Sequence, residues 1–308
     1  MTEDSLISPM HRGPAKFPGG AAAAVRTVWS PTLLPCRSPA VSPDVEVLLL
    51  GTGAADGIPN PFCRCDTCTD HRERGELRTP TSVLIDGRLL IDPGPEAPRQ
   101  VSRYGRDLTG LVAVLAGHAH SDHLDPALLM HHSWVTQTPL EVVGPEPVVA
   151  WSRQWLDGDQ TAISFRSVTA GETTDVAGYR VTVLAANHEA FGEACCYLIE
   201  DDSVSVLYAT DTGLLPASTL AALSGRHADL VLLEETFGPR TDKGDRHLHL
   251  ATFGQTVARL RELGVVTEST RVVAVHLAHD NPPLAQLSAE LAEFGAEVLP
   301  DGTVITLG

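Results

Sequence analysis

The stretch His118-Ala119-His120-Ser121-Asp122-His123 places four potential metal ligands within six residues. It directly follows the apolar run from Leu111 to Leu115, which predicts a strand. A loop that leaves a strand can turn the two histidines towards one cation and the following Asp and His towards a second. Two-metal hydrolases hold their ions roughly 3.5 to 4 Å apart, so one short loop can serve both ions. The spacing favours a dinuclear metal site over unrelated surface histidines.

Three later hydrophobic runs also stop at an imidazole or a carboxylate. His188 follows Ala185-Ala186-Asn187, Asp211 follows Tyr208-Ala209-Thr210, and His276 follows Val273-Ala274-Val275. Each residue lies where a strand is predicted to end, which repeats the arrangement of the first loop. These three residues are therefore candidates for the same site.

Short apolar runs recur along the chain and indicate many short strands with a few helices. The clearest helical spacing covers Thr252 to Leu263 and Leu284 to Phe294. Such a pattern predicts two β-layers covered by helices. The other predicted strands are Val45 to Leu50, Ser82 to Ile85, Leu89 to Ile91, Leu140 to Val143, Ile163 to Val168, Tyr179 to Ala185, Cys196 to Ile199, Val204 to Tyr208, Leu230 to Leu233, Val272 to Val275 and Thr303 to Leu307.

With these residues the sequence resembles the metallo-β-lactamase superfamily, whose HxHxDH signature is matched at every specified position by His118 to His123. The resemblance covers roughly Val45 to Gly308. It implies an α/β fold, the αββα sandwich, with the site along one edge of the β-layers. It also implies which residues bind metal: His118, His120 and His188 the first ion, Asp122, His123 and His276 the second, with Asp211 bridging the two.

Asp92, at the end of an early predicted strand, has two interpretations. It matches the usual Asp of the superfamily at this place, which would orient a metal ligand through a hydrogen bond. An Asp before Pro93-Gly94 is equally typical of a turn. The sequence leaves both open.

A cysteine cluster, Cys63, Cys65 and Cys68, supplies three thiolates in one loop. A tetrahedral structural zinc needs a fourth ligand, and buried thiols without metal are the alternative. The glycine turn Gly51-Thr52-Gly53 before this cluster makes the sequence resemble the PhnP-type phosphodiesterases of phosphonate breakdown. That resemblance implies that His279, three residues after the last histidine of the site, completes the zinc. PqqB proteins share the turn and the cysteines but depart from the full HxHxDH pattern.

The expected activity is metal-dependent hydrolysis. The resemblance implies a phosphodiesterase for a small or cyclic phosphodiester, with two divalent ions (Zn, Mn or Fe) at the centre and one structural Zn. PhnP-like proteins carry an active-site histidine at the start of the corresponding helix, so the resemblance implies that His249 is a substrate-contacting residue or general acid, with His247 as its competitor. Asp122 is the other residue that we expect to be catalytic. Hydrolysis of a lactone or thioester, or a PqqB-like accessory role in a biosynthetic pathway, remain alternatives.

The acidic pair Glu234-Glu235 follows a predicted buried strand. It could frame the pocket, but we expect it to be solvated. The vicinal Cys195 and Cys196 begin another strand and are expected to be small core residues.

Charge and composition limit the partners. The 308 residues carry a formal net charge of -17, which argues against binding a nucleic-acid polymer through its phosphates. No run approaches the roughly 20 apolar residues of a membrane span, and the start lacks the apolar core of a secretory signal. We therefore expect a cytoplasmic protein with a small-molecule substrate, and both a monomer and a homodimer are compatible with the sequence. Residues 1 to about 44 are rich in Pro, Ser, Gly and Ala and predict a poorly ordered tail, followed by one catalytic domain over 45–308.

Overall fold

A computed structural model describes residues 44–156, 162–188 and 191–308. The predicted N-terminal tail lies outside these residues, apart from its last position. Within them the chain forms two mixed β-sheets of seven strands each. Among the described helices, none combines the length and the apolar character that crossing a bilayer requires.

The first sheet ends in a parallel half that carries the HxHxDH loop. Strands β3 (Leu89–Ile91), β4 (Ala113–Leu115), β5 (Leu140–Gly144) and β6 (Ile163–Ser167) run parallel to one another, whereas β1 (Val45–Gly51) and β2 (Ser82–Ile85) pair antiparallel. Helices α2 (Ala97–Arg103), α3 (Ala127–Val135) and α4 (Glu146–Arg153) lie in the crossovers between the parallel strands. In spatial order the strands are β14 (Val304–Leu307), β1 (Val45–Gly51), β2 (Ser82–Ile85), β3 (Leu89–Ile91), β4 (Ala113–Leu115), β5 (Leu140–Gly144) and β6 (Ile163–Ser167).

The second sheet has an antiparallel half and a parallel half. Its strands, in spatial order, are β13 (Glu297–Val298), β12 (Arg271–Val275), β11 (Leu230–Glu234), β10 (Ser205–Ala209), β9 (Cys195–Glu200), β8 (Tyr179–Ala185) and β7 (Thr173–Val176). Strands β10 to β13 are parallel. Helices α5 (Ala217–Leu223), α6 (Leu250–Glu262) and α7 (Leu284–Glu293) follow β10, β11 and β12. Helix α1 (Asp66–Arg74) begins within the cysteine cluster and contains Cys68, so the three cysteines do not all lie in one loop.

Alternate residues of β1 show how the layers stack. Val47 and Leu49 belong to the core between the two sheets, whereas Leu48 and Leu50 pack with the helices outside the first sheet. A strand buried on both faces reads as a continuous apolar run, because neither face meets water. A third core joins the second sheet to α5, α6 and α7. The layers are helices, sheet, sheet, helices, and the predicted αββα sandwich is confirmed.

Most predicted elements are found within one or two residues of their expected ends. Strands β7 and β13, which form the two edges of the second sheet, were not predicted from the sequence. Edge strands are half solvated and short, so their hydrophobic pattern is weak: β7 is Thr-Thr-Asp-Val, and β13 has two residues. Cys195 and Cys196 are buried, as predicted.

Candidate metal centre

The HxHxDH loop follows β4 and is tightly packed against the loop that follows β3. The N–H groups of His123 and Leu124 donate to the carbonyl oxygen of His120 at 3.1 Å, which makes the loop turn back on itself. Gly94 of the neighbouring loop lies so close that a Cβ there would be 2.2 Å from the carbonyl oxygen of Asp122. This close approach fixes the backbone from which the site side chains project.

The three residues predicted from other strand ends lie against this loop. His188 follows β8, Asp211 follows β10, and His276 follows β12. The carboxyl ends of the parallel strands β10 and β12 meet at one edge of the second sheet, so Asp211 and His276 come together there. The structure therefore brings all seven predicted ligands of the dinuclear site to one place.

The two carboxylate oxygens of Asp211 divide the site into two groups. Oδ1 lies 3.8 Å from Nε2 of both His118 and His188. Oδ2 lies 2.8 Å from Nε2 of His123 and 3.2 Å from Nε2 of His276. Asp122 belongs to the second group, with its Oδ2 3.2 Å from Nε2 of His123. His120 belongs to the first, where its Nδ1 is 2.7 Å from Nε2 of His118.

Unpartnered buried atoms at the centre fit metal ions. Nε2 of His123, Oδ2 of Asp211 and Nε2 of His276 are buried and make no hydrogen bond to any described residue, although they lie about as close to one another as hydrogen-bonded atoms do. Buried polar atoms without a partner are rare because they cost free energy. Imidazole and carboxylate donors suit zinc, manganese or iron alike. The donor set thus fits divalent ions.

The pKa shifts around the centre also fit bound cations. Burial lowers the pKa of His118 well below its ordinary value, which keeps the imidazole neutral and able to bind a cation. Burial alone would raise the pKa of Asp211, but the imidazoles of His123 and His276 hold it well below its usual range. Burial alone would lower the pKa of His123, but Asp211, Asp92 and Asp122 raise it well above its ordinary value. The three carboxylates around His123 therefore favour a positive charge beside its imidazole.

Asp92 holds one of these imidazoles in place. It is fully buried, and its Oδ2 lies 2.7 Å from Nδ1 of His123 and accepts a hydrogen bond from the Tyr208 hydroxyl at 2.8 Å. Its Oδ1 accepts the N–H of Gly117 at 2.7 Å. Between the two interpretations that the sequence left open, these contacts match a residue that orients a ligand.

The two candidates for the proton donor, His249 and His247, lie in different places. Helix α6 begins at Leu250, so His249 is its N-cap, and the His249 N–H donates to Oγ1 of Thr252 at 3.0 Å. His247 lines the cavity at the centre instead, with its ring stacked on His276 at 5.4 Å between centroids. His249 is thus part of the helix cap, whereas His247 lies in the preceding loop beside the cavity.

Glu234 was expected to be solvated, and this expectation was wrong. Its side chain is fully buried, and its Oε2 lies 3.0 Å from Nδ1 of His247. Burial alone would lower the pKa of His247, but the carboxylates of Glu234 and Asp211 raise it to about 9. Burial of Glu234 could have been predicted from its position, because it ends β11, a central parallel strand between β10 and β12. Glu235 is also fully buried.

A cavity of about 400 Å³ opens onto the centre. Residues of the centre form one side, and the loops after β1, β11 and β12 form the others. Lys243 is the one cationic Lys or Arg side chain among the described residues that line it. The lining residues are Ala54, Ala55, Asp56, His120, Asp122, Asp211, Thr236, Phe237, Lys243, His247, His276, Ala278, His279 and Asp280.

The cysteine cluster forms a second potential metal site beside this cavity. One sulfur or nitrogen atom from each of Cys63, Cys65, Cys68 and His279 lies within 4.8 Å of the others. Cys65 is the N-cap of α1, and its Sγ accepts the N–H of Cys68 at 3.5 Å. The sulfur of Cys65 lies 3.8 Å from Nδ1 of His279. Three sulfurs and one imidazole are a donor set that fits tetrahedral zinc.

Comparison with known proteins agrees with this architecture. The sequence matches the family described as "Beta-lactamase superfamily domain" over residues 87–277, more than half of the chain. Ribonuclease Z of Mycobacterium sp. (strain KMS) is 29% identical over 210 residues, which cover 61% of this chain and 67% of that protein. Coenzyme PQQ synthesis protein B of Azoarcus sp. (strain BH72) is 25% identical over 310 residues, 85% of this chain and 100% of that protein.

Solved structures share the fold. A structure described as a new diphosphatase from the PhnP family has a TM-score of 0.66 at 20% identity, covering 86% of this chain and 97% of that one. Zinc-bound PqqB from Methylobacterium extorquens has a TM-score of 0.67 at 22% identity, covering 84% and 99%. On the family match and the αββα sandwich, the chain belongs to the metallo-β-lactamase superfamily.

Proposed function

We propose that this protein is a metal-dependent phosphodiesterase that cleaves a small or cyclic phosphodiester, of the ribose or nucleoside cyclic phosphate type. The observation that carries the proposal is the division of Asp211, whose Oδ1 faces His118 and His188 while Oδ2 faces His123 and His276. A carboxylate placed between two imidazole groups in this way is suited to bridge two cations.

In this proposal His118, His120 and His188 would hold the first ion, Asp122, His123 and His276 would hold the second, and Asp211 would be shared between them. Divalent ions bound there would lower the pKa of a water molecule and offset the charge of a phosphoryl group. Asp92 keeps the His123 ring turned towards the centre through its contact with Nδ1. His118, His123, Asp211 and His276 are buried, and burial strengthens the electrostatic interactions between them.

His247 is the side chain best placed to protonate the leaving oxygen. Its Nδ1 faces Glu234, so Nε2 is the atom that remains for the substrate side, 3.9 Å from Oδ1 of Asp211. Glu234 is itself fixed, because it accepts N–H groups of Thr212 and Leu248. A buried carboxylate that orients an imidazole is a common arrangement in general acid catalysis.

The size and charge of the site support a small substrate. A cavity of about 400 Å³ is near the lower end of small-molecule pockets. The mycobacterial relatives are named ribonuclease Z, but the net charge of -17 on this chain disfavours a polymer held by its phosphates. We therefore place the substrate among small phosphodiesters rather than among tRNA precursors.

A PqqB-like accessory role is the second candidate. One observation favours it: the match to coenzyme PQQ synthesis protein B covers 100% of that protein, whereas the match to ribonuclease Z covers 67%. A metal-loaded sample that is inert towards every diester and ester would support this role.

The test measures metal content and then compares turnover of a cyclic phosphodiester, a linear diester and a lactone under one set of conditions. We expect about two ions per chain at the centre, one zinc at the cysteine cluster, and preference for a phosphodiester. Preference for the lactone would overturn the proposed function. Activity that is nearly insensitive to salt would agree with a small substrate, since binding through many phosphates falls steeply with salt.

A further inference from the structure

The loop after β1 forms a rigid wall of the cavity. The Ala54 N–H donates to the carbonyl oxygen of Leu277 at 2.9 Å, and the Gly57 N–H donates back to Ala54 at 3.0 Å. Gly57 has a φ of 62°, and a Cβ there would lie 2.8 Å from the carbonyl oxygen of Arg78. Asp56, between these fixed points, lines the cavity. Its backbone position is therefore set independently of any ligand.

Only one of the two carboxylate oxygens of Asp56 contacts other described side chains. Its Oδ2 accepts a hydrogen bond from Nδ2 of Asn60 and lies 3.4 Å from Nε2 of His279. Its Oδ1 makes no hydrogen bond within the described parts of the chain, and the side chain is 40% exposed. One oxygen thus orients the group, and the other is available to a molecule in the cavity.

The other charged groups of this part of the cavity are already paired. Asp280 lies 3.3 Å from Arg240 through Oδ1 and 3.1 Å from Lys243 through Oδ2. The same contact engages Lys243, whose ammonium also lies 5.9 Å from the centre of the Phe237 ring. Of the described carboxylates that line the cavity away from the metal centre, Asp56 is therefore the one with an unpaired oxygen.

We propose that Asp56 selects the substrate by accepting a hydrogen bond from a hydroxyl group on the part of the substrate that does not react. This inference rests on the proposed phosphodiesterase function. A carboxylate accepts a hydrogen bond from a hydroxyl group and repels a second phosphate. The proposed substrate is therefore a phosphodiester that bears a hydroxyl group, such as a nucleoside cyclic phosphate, and that has no further anionic group beside this wall. The small side chains of Ala54 and Ala55 leave space for that part of the substrate.

The test uses two pairs of compounds that differ by one hydroxyl. They are adenosine 3′,5′-cyclic phosphate with its 2′-deoxy form, and adenosine 2′,3′-cyclic phosphate with its 5′-deoxy form. We expect the metal-loaded wild type to prefer the hydroxyl compound of one pair about tenfold to a hundredfold in kcat/KM, the range for a hydrogen bond to a charged group. Asp56→Ala should abolish that preference. Asp56→Asn should keep part of it, because the amide oxygen still accepts.

Two measurements separate failure of this inference from failure of the proposed function. Turnover of bis(4-nitrophenyl) phosphate by the wild type, which needs no hydroxyl, tests the function itself. Calorimetric binding of each compound pair to wild type and Asp56→Ala reads the preference even without turnover. Asp107→Ala removes the same charge away from the cavity and should leave the preference intact. Equal loss on both members of a pair in Asp56→Ala, or no preference in the wild type, would overturn the role of Asp56.

Discussion

Three residues at the metal centre have backbone angles that side chains rarely adopt. The φ angles of Asp92, Asp211 and His276 are 49°, 49° and 56°. A residue other than glycine in this left-handed region costs of order 1–3 kcal/mol and persists only where surrounding structure enforces it. Here strand ends enforce it, since β3, β10 and β12 stop one or two residues earlier. The left-handed backbone conformation changes the direction of the chain at each strand end, where these three residues lie.

Asp92 should control metal affinity. We expect Asp92→Asn to weaken metal binding about 10- to 100-fold, because the contact with Nδ1 of His123 loses its charge. Metal content after dialysis against a graded series of chelators measures the change. Asp107→Asn serves as a control for the lost charge. An unchanged affinity would show that Asp92 only forms the turn before Pro93.

His247 and His249 can be separated by kinetics. We expect His247→Ala to lower kcat on an alkyl diester by about 10²-fold or more, as loss of a general acid does. His249→Ala should change kcat little, because His249 caps α6 outside the cavity. Both variants should keep their metal content. A larger kcat loss in His249→Ala would restore the assignment that the sequence suggested.

Glu235 should make stability depend on pH. Burial raises the pKa of Glu235 to about 8 from its ordinary 4.5, and the carboxylates of Glu234 and Glu290 act in the same direction. The folded protein therefore keeps a proton that the unfolded chain releases between these values, so stability falls as pH rises through that window and levels off above it. Glu235→Gln should remove this slope. The Tm difference between wild type and variant, measured across the window, checks it, and a constant difference would contradict it.

At the scale of elements, the edge shared by β10, β11 and β12 builds the site. These neighbouring parallel strands end near Asp211, Glu234 and His276, so one sheet edge supplies the carboxylate that is proposed to be shared by two ions, the partner of His247 and a ligand candidate. Polar residues at the carboxyl ends of parallel strands recur at ligand sites for this reason. Each residue looked isolated in the sequence because about 20 to 40 residues separate it from the next.

The cysteine cluster joins α1 to the cavity. His279 lies 3.8 Å from the sulfur of Cys65 through Nδ1 and 3.4 Å from Asp56 through Nε2. The proposed structural zinc would therefore hold both the N-terminal loop and a cavity wall. This link was not visible in the sequence, where Asp56 and His279 are far apart.

Cys63→Ser should lower both zinc content and stability. We expect loss of about one zinc per chain while the two ions of the main centre remain, and a lower Tm, since structural zinc contributes directly to folding free energy. The hydroxyl preference should also weaken, because His279 then orients Asp56 less firmly. Cys195→Ser, a buried cysteine away from this cluster, is the comparison for general destabilisation. Unchanged zinc stoichiometry in Cys63→Ser would refute the structural site.

For the whole molecule, both sheets contribute ligand candidates, so metal binding should stabilise the sandwich. The HxHxDH loop belongs to the first sheet, and His188, Asp211 and His276 follow strands of the second. Within the described residues, Nε2 of His123, Oδ2 of Asp211 and Nε2 of His276 are buried and have no hydrogen-bond partner. Ions bound to these atoms would join the two layers at one edge.

Removal of metal should therefore lower the Tm of the entire domain. A ligand that binds only the folded state adds about 2.7 kcal/mol at a concentration 100 times its Kd, so Tm should rise with added zinc or manganese. Thermal unfolding after chelation and after stepwise return of metal measures the effect. A Tm that is independent of metal would mean that the two layers hold together without the ions.

Prediction from the sequence succeeded where the signal is local. The core strands were found because burial on both faces leaves uninterrupted apolar runs, as in β1. The seven ligand candidates were found because each follows such a run. The edge strands β7 and β13 and the short helices α1, α2, α4 and α5 were missed, since they bury too few residues to produce a period.

The sequence by itself determined the sandwich and the residue types of the metal centre, because strand patterns and the HxHxDH spacing are properties of neighbouring residues. Only the tertiary structure decided that His247 rather than His249 lies in the cavity, that Glu234 is buried behind it, and that Asp56 keeps one oxygen unpaired. Those outcomes depend on where a helix begins and on which distant segments meet. Distances between residues far apart in the chain are set by packing of the layers, and no local pattern contains them.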